Sequence, residues 1–93
     1  MIIGILQIEF LIPGVRSLKG KRSIVKGLKD RIRKSFNVSI SETDYHDKWQ
    51  RCVVTIACVN NDKRQVESTF SKALNSIQKC GEIQILKSQI ELL

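Results

Sequence analysis

The sequence predicts an α+β domain in which two helices cover one face of a four-stranded antiparallel sheet. Three observations lead to this prediction: two amphipathic helical patterns, four β-type patterns, and their order of strand, helix, strand, strand, helix, strand. Two split βαβ units in this order form a ferredoxin-like (βαββαβ) sandwich whose other sheet face stays open. A chain of 93 residues can bury one core, so we expect a single domain over residues 1–93.

The first strand and the first helix are predicted from residues 2–35. Residues 2–11 are almost wholly apolar, which is typical of a buried strand, and Pro13-Gly14 ends it. Ser17 is placed to cap a helix over about residues 18–35. The side chains expected to face the core are Ile2, Leu6, Ile8 and Phe10 of the strand and Leu18, Val25, Leu28 and Ile32 of the helix.

A β-hairpin is predicted next. Residues 37–43 alternate polar and apolar side chains, residues 49–59 place two sets of side chains on opposite faces of a strand, and the polar residues 44–48 separate the two strands as a turn. The alternation places four side chains of the longer strand toward the core: Cys52, Val54, Ile56 and Cys58.

The last two elements are a helix and a strand. Asn60-Asn61-Asp62 can cap the helix, and Gly81 stops it. Residues 82–92 form the final strand, whose register the pattern does not fix. The buried face of this helix is expected to contain Val66, Phe70, Ala73, Leu74 and Ile77.

The basic residues are concentrated in one segment. Nine of the sixteen Lys/Arg residues lie within residues 16–34 beside a single acid, Asp30, so this segment carries +8 in a chain of net charge +7. Solvated faces normally mix both signs, so this excess favours a polyanionic partner, and nucleic acid first. Five of these residues are spaced by three and four positions and form one stripe: Lys19, Arg22, Lys26, Lys29 and Arg33.

The predicted function is that of a small non-enzymatic protein that docks on structured RNA through this first helix. The open sheet face lacks the adjacent aromatic residues on which RNA-recognition motifs stack bases, so we expect contacts to phosphates and helical shape. An alternative is a protein-interaction or scaffolding module whose basic helix meets an acidic protein partner. The predicted nucleic-acid-binding residues are Lys19, Lys21, Arg22, Lys26, Lys29 and Arg33.

The open sheet face also has an apolar pattern. A contiguous apolar patch usually meets a partner, and here it predicts self-association into a homodimer. The residues that would form the patch are Ile3, Ile5, Val53, Ala57 and Val59.

The segment Gly14 to Ser23 lies where a phosphate-binding loop would lie, between a strand and a helix. Five residues separate Gly14 from Gly20 where that motif allows four, so nucleotide hydrolysis is disfavoured. A simpler phosphate site stays open, in which the backbone N–H groups at the helix start, with Lys19 and Lys21, hold one phosphate of a larger ligand.

The acidic residues near the hairpin turn are candidates for a metal or acid-base site. Glu42, Asp44 and His46 share one parity, and Asp47 is adjacent, but the set matches no standard ligand spacing. A solvated turn explains them better, so we expect no metal, no cofactor and no catalytic residues.

The three cysteines are too far apart for a metal-binding or redox pair. Cys52, Cys58 and Cys80 include no C-x-x-C spacing, and all three are expected to be buried as small hydrophobic residues. No apolar run is long enough to span a membrane, and the N-terminus has no signal-peptide features. These observations favour a reduced cytoplasmic protein with no membrane partner.

Three motifs together resemble one known family. They are P-G-x-x-S-L-K-x-K-R from Pro13, R-x-R-x-x-F-N-V-S from Arg31, and D-x-W-Q-R from Asp47. In combination they closely resemble the YlxP-like bacterial family over nearly the whole chain. The resemblance implies a ferredoxin-like fold, and a setting near ribosome maturation, because genes of the family commonly lie beside those for a translation initiation factor and ribosome-binding factor A. The resemblance implies no particular biochemical activity. This chain departs from the family's motif at Gly20, a position at which an acidic or polar residue is expected.

Overall fold

The computed structural model describes all 93 residues and confirms the predicted fold class. The sheet has the strand order β2-β3-β1-β4, and every neighbouring pair is antiparallel. The elements are β1 (Ile2–Leu11), α1 (Leu18–Ser35), β2 (Ser39–Asp44), β3 (Arg51–Asn60), α2 (Lys63–Gln78) and β4 (Gln84–Leu92).

Side-chain caps begin both helices where the sequence predicts them. The Oγ of Ser17 accepts a hydrogen bond from the backbone N–H of Gly20 at 3.0 Å, and Oδ1 of Asp62 accepts one from Arg64 at 2.9 Å. Each cap satisfies a backbone donor that the first helical turn leaves free. Ser17 therefore determines locally where α1, which carries most of the positive charge, begins.

The core lies between the two helices and the inner face of the two central strands. Leu6, Ile8 and Phe10 of β1 are buried there, as are the four predicted residues of β3. The predicted faces of the helices are confirmed at seven positions, Val25, Leu28, Ile32, Val66, Phe70, Ala73 and Ile77, whereas Leu18 and Leu74 are half-buried. The helix α2 packs so closely on β1 that a Cβ atom added at Gly4 would lie 2.5 Å from Cγ1 of Val66.

The edge strand β4 is exposed along most of its length. Ile90 lies opposite Leu6 in the register and therefore belongs to the helix-covered face, yet half of its surface is exposed. A register shift between Glu9 and Phe10 interrupts the β1–β4 pairing, which explains why the apolar pattern of Ile85-Leu86 did not fix the register. Neither of the two helices is apolar and long enough to cross a membrane.

Candidate nucleic-acid interface

The predicted basic stripe runs along the side of α1 that faces β2. Arg22, Lys26, Lys29 and Arg33 line a shallow groove of about 340 Å³, and Glu42 of β2 also lines it. The guanidinium of Arg33 donates a hydrogen bond to the carbonyl oxygen of Ile40 at 3.0 Å. All residues of the stripe are exposed except Lys29, which is half-buried. The spacing therefore predicted the common face of Arg22, Lys26, Lys29 and Arg33 correctly, and Lys19 lies outside the groove.

The single acid of the segment neutralises little of this charge. Asp30 lies 3.2 Å from Nζ of Lys26 and 3.8 Å from Nη1 of Arg33, and all three side chains are well exposed. Exposed pairs of this kind contribute only about 0–1 kcal/mol, and they are screened by salt. The remaining basic residues of segment 16–34, apart from Lys21, take part in no ion pair: Arg16, Lys19, Arg22, Lys29, Arg31 and Lys34.

The prediction that Lys21 contacts nucleic acid is wrong, because this side chain is only 1% exposed. Its Nζ lies 2.8 Å from Oε2 of Glu42 and also donates a hydrogen bond to the carbonyl oxygen of Tyr45. A buried ammonium group requires such partners, since an unpaired charge in the interior is very costly. Lys21 thus anchors α1 to the end of β2 and does not belong to the surface.

The helical spacing contained a signal for this position. Leu18 and Val25 are seven residues apart on the buried face, and Lys21 lies at the intervening position of the three-four pattern. That register places Lys21 on the side of the helix that packs against the core. Lys21 was assigned to the surface because of its charge, although the helical spacing indicates a core position.

The carboxyl group of Glu42 remains ionised beside Lys21. Burial by itself raises the pKa of Glu42, but hydrogen bonds from Lys21 and Cys52 and the positive charge of Lys21 outweigh it, so the pKa lies below its ordinary value. Burial, together with the negative charge of Glu42, raises the pKa of Cys52 to about 12. The thiol therefore stays protonated at neutral pH and is a poor nucleophile.

A second basic groove lies between the two helices, and the sequence did not predict it. It has a volume of about 500 Å³, and no Asp or Glu is among its lining residues: Arg31, Lys72, Asn75, Ser76, Lys79 and Cys80. The Nε and Nη2 atoms of Arg31 donate to the hydroxyl and the carbonyl oxygen of Ser76, each at 3.4 Å. Because these residues are about 45 positions apart in the chain, only the packing of α1 against α2 brings them together.

The comparison with protein families matches residues 3–90 to a family described as Protein of unknown function (DUF503). The chain belongs to this family. One relative, Uncharacterized protein YlxP from Bacillus subtilis (strain 168), is 39% identical over 82 residues, which cover 88% of this chain and 89% of the relative. These findings confirm the resemblance to the YlxP-like family.

Solved structures similar to this DUF503 chain support the fold alone, because their sequences are too different to transfer chemistry. Structural Genomics protein YJCS is 11% identical, with a TM-score of 0.63 and 96% of each chain covered. The de novo designed protein Foldit4 is 15% identical, with a TM-score of 0.57, and the match covers 98% of this chain and 96% of the design.

The acidic residues at the hairpin of this DUF503 chain do not converge on a common point. Glu42 is paired with Lys21, and Oδ1 of Asp44 accepts a hydrogen bond from the backbone N–H of Tyr45 at 2.7 Å. The ring Nε2 of His46 lies 3.1 Å from the backbone carbonyl oxygen of Glu42. No group of three His, Cys, Asp or Glu side chains is arranged to hold a metal ion.

The start of α1 also differs from the predicted phosphate site. The backbone N–H of Gly20 is already capped by Ser17, and Lys21 is turned into the interior. Lys19 alone of the two lysines remains at the surface. Gly20 is closely packed, since a Cβ atom there would lie 2.9 Å from Cγ2 of Val15.

The open sheet face is divided into a polar end and an apolar end. At the polar end Nε of Arg51 donates to Glu9 at 2.8 Å, Lys87 lies 3.8 Å from Glu9, and the Arg51 guanidinium stacks 4.5 Å from the centre of the Tyr45 ring. Val53 lies beside this cluster and is buried, so it does not belong to the predicted exposed patch. The apolar end consists of Ile3, Ile5, Ala57 and Val59, of which Val59 is the most exposed.

Proposed function

We propose that this protein binds structured RNA through the cationic surface of α1 and has no enzymatic activity of its own. The observation that carries the proposal is the set of six basic residues of segment 16–34 that have no ion-pair partner. A face that only keeps a protein soluble would interleave acids with these cations, and the segment contains one acid. A polyanion relieves the mutual repulsion of such a set and releases its own condensed counterions on binding.

Contacts to phosphates, and not to stacked bases, fit the distribution of aromatic residues. Tyr45 is the aromatic side chain next to the open sheet face, and it is already stacked with Arg51. The exposed Trp49 lies outside the strands, in the β2–β3 turn region. Base readout on the sheet would need two or three aromatic side chains on the central strands, so the helix is the better contact surface.

Ribosomal RNA or its precursor is the first ligand to test, because the YlxP-like resemblance implies a setting near ribosome maturation. The binding variant replaces three cations of α1 that lack ion pairs, the exposed Arg22 and Lys34 and the half-buried Lys29, each with Gln. Each phosphate that no longer meets a cation should reduce the slope of log K against log salt by about 0.7–0.9, so the three substitutions together should lower the slope by about 2.1–2.7 units. Fluorescence anisotropy of a labelled RNA fragment at several salt concentrations measures this slope.

A control variant removes three positive charges elsewhere, with Lys48→Gln, Lys63→Gln and Arg64→Gln, of which only Arg64 takes part in an exposed ion pair, with Asp62. These side chains are exposed and lie in the hairpin turn and the first turn of α2. We expect the control to keep most of the affinity and the salt slope. Equal loss in both variants, or affinity that does not depend on salt, would contradict the proposal and favour the acidic protein partner.

A further inference from the structure

We propose that the groove between α1 and α2 is a second phosphate-binding subsite, which holds the backbone of the same RNA that α1 binds. This inference rests on the proposed function and extends it from one helix to the whole helical layer. The groove contributes three cations, Arg31, Lys72 and Lys79, from two elements that are distant in the chain.

The charge balance of the groove points to an anionic occupant. Its cations have no ion pair with any Asp or Glu of the chain, and none of its lining residues is acidic. Like charges that share one concave site repel each other more than they would on a convex surface, because field lines are focused there. A bound phosphate removes this repulsion, and the neutral side chains of Asn75 and Ser76 can add hydrogen bonds to its oxygens.

Arg31 lies at the wall of the groove with donors free for this ligand. Its Nε and Nη2 make two long hydrogen bonds of 3.4 Å to the hydroxyl and carbonyl oxygen of Ser76, which place the guanidinium at the groove wall. A guanidinium carries five N–H donors, and two of them are used here, which leaves three for an incoming anion. The planar fork of donors on an arginine matches the oxygens of a phosphate group, which favours this ligand.

The groove also determines which RNA shape fits. The stripe with Arg22 and Lys29 lies on the β2 side of α1, whereas Arg31 contacts α2 on the other side. Cations on both sides of one helix can meet phosphates that are separated laterally, as they are on the two strands of an RNA duplex. We therefore expect double-helical RNA to bind more tightly than a single strand of the same length.

The first test compares two double variants of α2 that remove the same charge. Lys72→Gln with Lys79→Gln alters the groove, and Lys63→Gln with Arg64→Gln alters exposed positions at the start of the helix, outside the groove. For an RNA duplex, the groove variant should lower the salt slope by about 1.4–1.8 units, as expected when two phosphates no longer meet a cation. The control variant should retain the wild-type slope.

The second test uses Cys80, which lines the groove and is half-buried, as a reporter of its occupation. Cys52 and Cys58 are buried and should react slowly in the native protein. Bound duplex should slow the reaction of Cys80 with N-ethylmaleimide in proportion to the fraction of protein bound. Mass spectrometry of the labelled peptide measures the rate at each cysteine.

The outcomes separate this inference from the proposed function. If the α1 variant loses RNA binding while the groove variant behaves like its control and Cys80 stays reactive in the complex, the subsite is refuted and the α1 interface stands. If neither variant changes the salt slope, both are refuted. A lower slope in the groove variant together with protection of Cys80 supports the subsite.

Discussion

Lys21 and Glu42 form an ion pair, with 2.8 Å between Nζ and Oε2, that joins the first turn of α1 to β2 beneath the basic surface. The lysine is only 1% exposed, whereas the carboxylate keeps 16% of its surface. A buried pair adds little stability compared with an apolar contact of the same volume, but loss of one partner leaves the other charge uncompensated. The pair therefore acts mainly to hold α1 in one position against the hairpin.

Removal of the carboxylate should destabilise the fold more than removal of the lysine. Glu42→Gln leaves a buried ammonium group and should cost about 3 kcal/mol, the lower end for a broken buried pair. Lys21→Met fills the site with an apolar chain and leaves a carboxylate that water can reach, so it should cost less. Urea unfolding followed by circular dichroism measures the loss of unfolding free energy in each variant. Lys21→Met should leave RNA affinity unchanged, and a weaker affinity would contradict the corrected position of this residue.

The stabilisation from Glu42 should disappear in acid. Because the pKa of Glu42 in the folded protein lies below its ordinary value of 4.5, the unfolded chain takes up its proton first as the pH falls. The stabilisation is therefore complete above pH 4.5 and is lost as the pH falls through the folded pKa. The difference in unfolding free energy between wild type and Glu42→Gln, measured in urea at each pH, should shrink below pH 4.5. A constant difference would show that the pair does not titrate.

Two glycine substitutions should act in opposite directions. In Gly4→Ala the new Cβ would lie 2.5 Å from Val66 and 2.8 Å from Phe70, so overpacking should cost about 1–3 kcal/mol. In Gly27→Ala no atom lies within 4 Å of the new Cβ, and the helix interior should gain about 1 kcal/mol from the better helix former. The unfolding temperatures of both variants test these two expectations. Equal changes in unfolding temperature would refute this account of packing between α2 and β1.

The three thiols should not react alike. The expectation that all are buried is wrong for Cys80, which is half-buried in the groove between the helices. Cys80 should react quickly with a thiol reagent in the native protein, whereas Cys52 and Cys58 should react quickly only after denaturation. Burial shields the thiol of Cys52 and also raises its pKa, and both effects slow its reaction. Fast labelling of Cys52 in the native protein would therefore contradict the structure.

Self-association through the open sheet face stays a prediction, now confined to its apolar end. Val59 is 59% exposed there, so Val59→Glu should leave the fold intact while placing a charge in the proposed contact. Sedimentation velocity at micromolar concentration should show a dimer for wild type and a monomer for this variant. Gln65→Glu, an exposed position on α2, is the control and should remain dimeric. A monomeric wild type would refute the prediction.

Local signals in the sequence predicted the elements and their buried faces well. Ser17 and Asp62 cap the helices that their positions indicated, and the alternation around Val54 placed the correct face of β3 in the core. These features depend on neighbours within four residues. The burial of Lys21 could also have been predicted, since its helical register places it between apolar residues.

The remaining parts of the site depend on contacts between distant residues, and no local pattern determines them. Arg31 meets Ser76 because of the position at which α1 crosses α2, and Glu9 becomes part of a charged cluster because β4 brings Lys87 beside it. A stripe along one helix could thus be predicted, but a groove between two helices could not.

The exposure of β4 has a consequence for how the molecule opens. With few buried side chains and a register shift in its pairing, this strand is held mainly by backbone hydrogen bonds to β1. Local unfolding with a low free energy should therefore begin here, and amide hydrogens of β4 should exchange before those of β3. Each opening frees the backbone of β1 at a position where it can pair with a strand from another copy. The stability of this one edge thus limits the protein's resistance to aggregation, even while the core stays folded.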